Sequence, residues 1–219
     1  MTVRNRGALA ALAAGVAALT AATLVACNSQ PAGNVGVEEA STLAAGATPS
    51  AAGGDPSVAV TAGELPAGAR IVPPVRLVIP EIDVTATVNA VGINERTNEF
   101  EVPPSVDEIG WYRYGPGLET GTGSVVIAGH VDSAKQGRGA FFRLRELDQG
   151  DTLTATGSDG KARRYRVVAR EEYAKTRIPL ERYFARDGKP RLTLITCGGP
   201  FDAKARKYRD NIVVTAVPA

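Results

Sequence analysis

Cys197 and His130 are the residues from which chemistry in this chain would have to be built. The sequence has two cysteines and a single histidine. The other cysteine, Cys27, ends an N-terminal apolar segment, so Cys197 is the one thiol of the body. It closes the run RLTLIT and is followed at once by Gly198, Gly199 and Pro200. A strand that stops at a cysteine and runs into glycines presents the thiol at a sheet end, beside backbone with little bulk, where a substrate chain can approach. His130 occupies a similar place, after the run SVVIA and Gly129. Two strands that each end in a reactive group suit nucleophilic catalysis. The thiolate attacks a carbonyl, and the imidazole handles the proton of the leaving group. An imidazolium neighbour also favours the thiolate. Taken alone, a cysteine in a β domain reads more readily as a small buried hydrophobe, and a histidine after a strand as a loop residue. The pairing is what favours catalysis.

The elements that must position these groups are mostly strands. Residues 75–79 are a short apolar run ending at Pro80. Residues 82–93 alternate apolar and polar (Ile82, Val84, Ala86, Val88, Ala90 against Asp83, Thr85, Thr87, Asn89), the mark of a half-buried strand. Residues 124–128 form a continuous apolar strand. Residues 151–156 and 163–169 flank GSDG, whose Asp159-Gly160 pair is a hairpin signal. Residues 192–195 and 212–217 are two further β-rich runs. Residues 141–147 (FFRLREL) and 180–185, after Pro179, suit short helices. Many short strands with one or two short helices predict a mainly β, closed or nearly closed barrel over residues 71–219.

The chain has 219 residues and a formal net charge of +2, too balanced to argue for nucleic acid. Residues 1–27 place Arg4 and Arg6 before an Ala-rich uncharged run, the form of a secretory signal. That run ends Leu24-Val25-Ala26-Cys27, which resembles a bacterial lipobox. Cleavage before Cys27 with lipidation of its sulfur is the expected fate. An uncleaved signal anchor or a freely secreted form are the alternatives, and all three place the body outside the cytoplasm. Residues 28–70 are rich in Ala, Gly, Pro, Ser and Thr and contain no aromatic residue, and within them residues 28–69 carry acids (Glu38, Glu39, Asp55, Glu64) without Lys or Arg. They are expected to be a disordered tether, with a reach of roughly 35 Å.

Thr193-Leu194-Ile195-Thr196-Cys197 resembles the TLxTC signature of sortases. Ala128-Gly129-His130 resembles their histidine segment, and Tyr208-Arg209-Asp210-Asn211 opens the last strand where sortases carry an essential arginine. The opening LVIPEIDVTATV is similar to the early strand of the sortase barrel. GHVDS at 129–133 and TCGGPFD at 196–202 look most like the class F sortases of actinobacteria. The resemblance spans residues 71–219 and implies a barrel of about eight strands.

It also implies roles. Cys197 would attack the carbonyl of a Leu-Pro-x-Thr-Gly-like sorting peptide to give a thioacyl enzyme. His130 would serve as general acid and then base, and Arg209 would bind the substrate backbone or the oxyanion. An amine of the cell wall, such as a peptidoglycan precursor, would take the acyl group. No cofactor and no metal is expected, and one His with one mature Cys cannot make a zinc site. The enzyme is expected to act as a monomer on the C-terminal sorting signals of surface proteins. Thr196, Gly198, Trp111 and Asp132 are further candidates for substrate contact, with Asp132 also able to orient His130 or to be a solvated turn residue. Arg206 is the rival to Arg209 and reads as a loop charge. The stretch 171–190 is the expected recognition loop. Rival functions are a sortase-fold hydrolase and a non-catalytic surface-binding lipoprotein. Papain-like wall peptidases place Cys before His, and L,D-transpeptidases carry a compact Ser-x-Gly-Cys-type motif; neither pattern is present.

Overall fold

The computed structural model describes residues 33–44, 71–94, 96 and 99–219. The signal segment, Cys27 and most of the expected tether lie outside these residues. The described elements in chain order are α1 (Val37–Ala44), β1 (Pro74–Ile79), β2 (Val84–Val91), β3 (Ile93–Asn94), β4 (Glu99–Phe100), β5 (Ile109–Tyr112), β6 (Ser124–Gly129), β7 (Asp132–Ser133), β8 (Gly137–Arg138), β9 (Thr152–Gly157), β10 (Ala162–Ala174), α2 (Leu180–Tyr183), β11 (Arg191–Asp202) and β12 (Lys207–Pro218). Single 3₁₀ turns sit at Pro80–Ile82 and Leu144–Glu146. Of the two expected helical stretches, 141–147 is thus a turn followed by 3₁₀, and the other is the four-residue α2.

Eight strands close into a barrel in the order β1-β2-β5-β6-β11-β12-β10-β9, with β9 returning to β1. The local sequence explains the connections. Pro80 opens a 3₁₀ turn that ends at Asp83 in the left-handed region, reversing the chain so that β1 and β2 pair antiparallel. Gly160, at φ +76°, supplies the positive dihedral that the β9–β10 hairpin requires. Along β2 the alternation buries Val84, Ala86 and Val88 while Thr85 and Thr87 stay exposed. The interior is filled by Leu77, Ile79, Trp111, Val125, Ile127, Leu153, Val167, Leu192, Leu194 and Val214, among others.

β6 is buried along its whole length, because its outer face is covered as well. The cover is the connection between β10 and β11, which includes α2. Two buried polar groups hold it. Arg191 donates to the carbonyls of Arg182, Asp187 and Lys189. Glu171, 1% exposed, accepts from Tyr173, Arg182 and Tyr183. Beneath the cover, Ser124 and Thr193 share a hydroxyl–hydroxyl bond of 2.7 Å.

Residues 33–44 differ from the disorder expected of the tether. Val35 exchanges two backbone hydrogen bonds of 2.9 Å with Arg170, on the stretch of β10 that extends past β9. Asn34 Oδ1 accepts from Glu172 N, and Leu43 O accepts from Lys189 N. Gly36, at φ +67°, lies so close to β10 that a Cβ there would fall 1.9 Å from Val168 O. Composition suggested a free chain, but unpaired strand edges need hydrogen-bond partners, and this segment supplies one. No described helix is long and apolar enough to cross a membrane.

Candidate active site

β6 and β11 run parallel, with Ala128 opposite Ile195, so both deliver their C-terminal ends to the same end of the barrel. Thr196 Oγ1 donates to Gly129 O at 2.8 Å and locks that register beside Cys197 and His130. The antiparallel strand β12 sets Asn211 opposite Cys197, and β10 sets Tyr173 opposite Asn211. Side chains alternate across a strand. Cys197, Asn211, Tyr173 and Lys175 therefore share the outer face of the sheet, the face that the β10–β11 connection covers.

Cys197 is a free, half-buried thiol. It lies at the floor of a largely apolar groove lined by Ile93, Phe100, Val102, Ile178, Leu180 and Phe184, with Lys175 and Asn211 beside it. The groove has one wall from the β3–β4 hairpin and the other from the β10–β11 connection. Phe100, Phe184 and Tyr112 pack as a triangle of rings, with centroids 6.0 Å apart for Phe100–Tyr112, 5.2 Å for Tyr112–Phe184 and 6.1 Å for Phe100–Phe184. On the other side of the sulfur is a smaller cavity lined by Phe141, Phe142, Arg145, Gly198, Gly199 and Tyr208.

His130 is half-buried, and its Nε2 lies 3.0 Å from Pro103 O. Its carbonyl oxygen accepts from Phe141 N and sits 2.3 Å from the point a Cβ of residue 139 would occupy, so Gly139 is needed beneath it. Arg209 sits on β12, its side chain 66% exposed, with Nη2 3.4 Å from Asp202 Oδ2. The Asp202 carboxyl is held below its ordinary value, first by the backbone N–H of Ala205 and also by Arg209. Arg206 lies in the turn before β12 at φ +52°, exposed.

The weaker candidates divide. Trp111 does not face the groove: it is buried in the barrel core, and its Nε1 donates to Pro116 O at 3.1 Å. Its neighbour Tyr112, on the opposite face, joins the aromatic cluster instead. The Thr196 hydroxyl is committed to Gly129 O. Gly198 does not open a space for substrate on its Cβ side, since a Cβ there would meet the Ile212 side chain at 2.6 Å. Asp132, which is half-exposed, accepts the Tyr208 hydroxyl at 2.6 Å, so its hydrogen bond is to Tyr208 and not to His130. That bond, with burial and the charge of Asp132, pushes the Tyr208 phenol up to about 12. Among the described residues no group of three or more His, Cys, Asp or Glu stands together as a metal site.

Three contributors escaped sequence reasoning. Lys175 donates from Nζ to Cys197 Sγ at 3.4 Å. Phe100 and Phe184 wall the groove. The one available signal for Lys175 was the strand alternation that puts it two residues beyond Tyr173, on the face of Cys197.

This arrangement provides a half-buried thiol, an apolar groove beside it and a cationic group, Lys175, against the sulfur. Comparisons with known proteins agree with it. The family model for the sortase domain matches residues 77–219. A comparison with curated proteins finds no match. Among solved structures, sortase C-1 from Actinomyces oris superposes with a TM-score of 0.51 at 21% identity, over 66% of this chain and 72% of that one. A lid mutant of sortase A from Corynebacterium diphtheriae gives 0.51 at 24% identity, over 70% and 74%. Sortase C2 of Group B Streptococcus pilus island 1 gives 0.50 at 19% identity, over 66% and 72%. The structural likenesses show the fold, the family model covers most of the barrel, and the chain belongs to the sortase domain family.

Proposed function

We propose that this sortase-family enzyme is a cysteine transpeptidase, most like class F, that cleaves a Leu-Pro-x-Thr-Gly-like sorting peptide and passes the acyl group to an amine of the cell wall. The observation that carries the reading is the delivery of Cys197 and His130 by two parallel strands to one barrel end, with Cys197 on the floor of an apolar groove. Cys197 attacks the scissile carbonyl, the carbonyl π pair moves to oxygen, and collapse of that adduct expels the amine and leaves a thioester. His130 gives the departing amine its proton and later takes one from the incoming amine. Arg209 donates to the oxyanion or to the substrate backbone. Its pair with Asp202 is long and exposed, so leaving it costs little, and a planar guanidinium then offers several donors. The body works outside the cytoplasm, held by a lipid on Cys27, with C-terminal sorting signals of surface proteins as donors.

The test incubates the purified full-length protein with a panel of sorting-type peptides, with and without an added amine, and follows intact mass. A peptide fragment on Cys197 together with an amine-linked product is the expected result, and Cys197→Ala abolishes both while keeping the fold. An adduct resolved only by water with every amine tried would replace the transpeptidase by a hydrolase. No adduct, with an unreactive Cys197, would remove the enzymatic reading.

A further inference from the structure

We infer that Lys175 is a further catalytic residue, its ammonium serving as the charge partner of the Cys197 sulfur through both halves of the reaction. This rests on the reading of Cys197 as nucleophile. Lys175 Nζ is 3.4 Å from Sγ, the one side-chain hydrogen bond to that sulfur among the described residues. By contrast, His130 Nε2 is engaged with Pro103 O. The lysine is not an incidental loop residue. Its backbone N–H donates to Arg209 O at 3.1 Å, which extends the β10–β12 pairing one residue past Ala174 and fixes the root of the side chain. From there the stem crosses β12 on the groove face, past Asn211, to reach β11.

Other charged or titratable groups face the same sulfur. Arg145, from the 3₁₀ turn, and Tyr208, from β12, line the cavity on its far side. Asp132 holds the Tyr208 hydroxyl as a neutral donor, and Arg209 points at Asp202. Among the described residues no carboxylate hydrogen-bonds Lys175 in competition with the sulfur.

A positive charge beside a thiol favours the thiolate, the form that attacks. In the acylation step the sulfur lone pair forms the C–S bond, and the amine leaves with a proton from His130. Lys175 keeps its protons throughout. The thioester sulfur is neutral, so the pair is lost at that stage and is restored when the incoming amine expels the sulfur as thiolate. Lys175 thereby assists the attack by lowering the population of unreactive thiol, and it assists the transfer by stabilising the leaving group.

The test uses alkylation of Cys197 by iodoacetamide, read at that residue by peptide mass spectrometry from pH 5 to 10, for the full-length protein and its Lys175→Met and Lys175→Arg variants. No peptide substrate is needed. In Lys175→Met the rise of alkylation with pH is expected to move up by about one unit, making the reaction roughly ten-fold slower at neutral pH and equal at pH 10. Lys175→Arg recovers part of the loss. Equal rates at every pH would reduce Lys175 to a groove wall. A faster reaction in Lys175→Met would make it a plug. A uniform slowing without displacement along the pH axis would assign it to geometry. Each of these overturns the inference while leaving Cys197 as nucleophile. Absence of alkylation at Cys197 in the unaltered protein at every pH would instead overturn the nucleophile itself.

Discussion

At the residue scale, the two arginines near the start of β12 make a sharp comparison. Arg209 lies within the strand that faces Cys197, and its guanidinium is held by one long, exposed contact. Arg206 sits in the preceding turn in a left-handed conformation, where its position is set by the turn and not by the groove. If Arg209 donates to an oxyanion or a peptide backbone, the planar fork is what matters, and lysine cannot reproduce it. Arg209→Lys is expected to lower kcat/KM for a sorting-type peptide by about 100-fold, the size of a lost oxyanion donor, while Arg206→Lys stays within about two-fold of the unaltered enzyme. Steady-state kinetics on both variants check this. A normal rate for Arg209→Lys beside a crippled Arg206→Lys would transfer the role to the turn residue.

At the element scale, the groove depends on how the β10–β11 connection is pinned. Glu171 is almost wholly buried and accepts from Tyr173, Tyr183 and Arg182, while Arg182 Nε has no hydrogen-bond partner. Arg182 is partly buried, donates also to the Tyr173 hydroxyl and lies over the Tyr183 ring, and the Glu171 carboxylate is the charge it pairs with. Desolvation and the Glu171 carboxylate also keep the Tyr183 phenol well above its ordinary value, so it remains a donor. Glu171→Ala would leave Arg182 without its carboxylate and three donors without their acceptor, which costs about 2–3 kcal/mol. The same change loosens α2 and with it the Leu180 and Phe184 wall. Chemical denaturation should show the stability loss, and peptide kinetics should show KM rising more than kcat falls. A fall in kcat alone would place Glu171 in the chemistry instead of the wall.

These elements also show which parts of the molecule were legible in advance. Long alternating or continuous apolar runs read correctly as β2, β6, β9 and β12, because period-2 burial is written residue by residue. The placing of Cys197 and His130 at one sheet end was legible because each follows such a run. Two-residue strands such as β3 and β7 carry no period to detect. Trp111 was misplaced because a single large aromatic fits a core or a groove equally well by type, and only the pairing of β5 with β2 and β6 decides which face it takes. Lys175 was hard to read because it lies just past a strand end, in no motif, with strand alternation as its one signal. The segment at residues 33–44 was hidden by composition, since its docking is made mostly by backbone bonds, the Asn34 side chain and the close approach of Gly36, with Ala40 as its one buried apolar side chain.

For the whole molecule, pH ties the barrel's ends to its stability, and the titrating groups pull in opposite directions. Asp159, in the β9–β10 turn, is held at about 2 by Arg163, which also pairs with Glu119. Asp202 is likewise lowered. Groups depressed on folding contribute stability that is full above their ordinary value near 3.8 and is lost as pH falls toward 2. Glu172 has the other sign. It lies at the barrel end where β10 meets β12, raised above its ordinary value first by burial and then by Asp210, with Arg145 opposing. A carboxyl raised on folding binds its proton more tightly in the native state, so it loses stability as pH climbs through 4.5 and beyond, and at neutral pH it is a liability. Glu172→Gln removes the like-charge contact with Asp210 and leaves the backbone N–H that Asn34 accepts. Because solvent reaches the pair, the gain is a fraction of a kcal/mol, or about 2 °C in Tm at pH 7. The gain should shrink to a small remainder by about pH 4, where Glu172 is mostly protonated in both states, and vanish below it. Thermal melts of the two proteins across that range decide the matter. An advantage that persists unchanged at pH 4 would trace to packing, and none at pH 7 would mean that Arg145 already neutralises the pair.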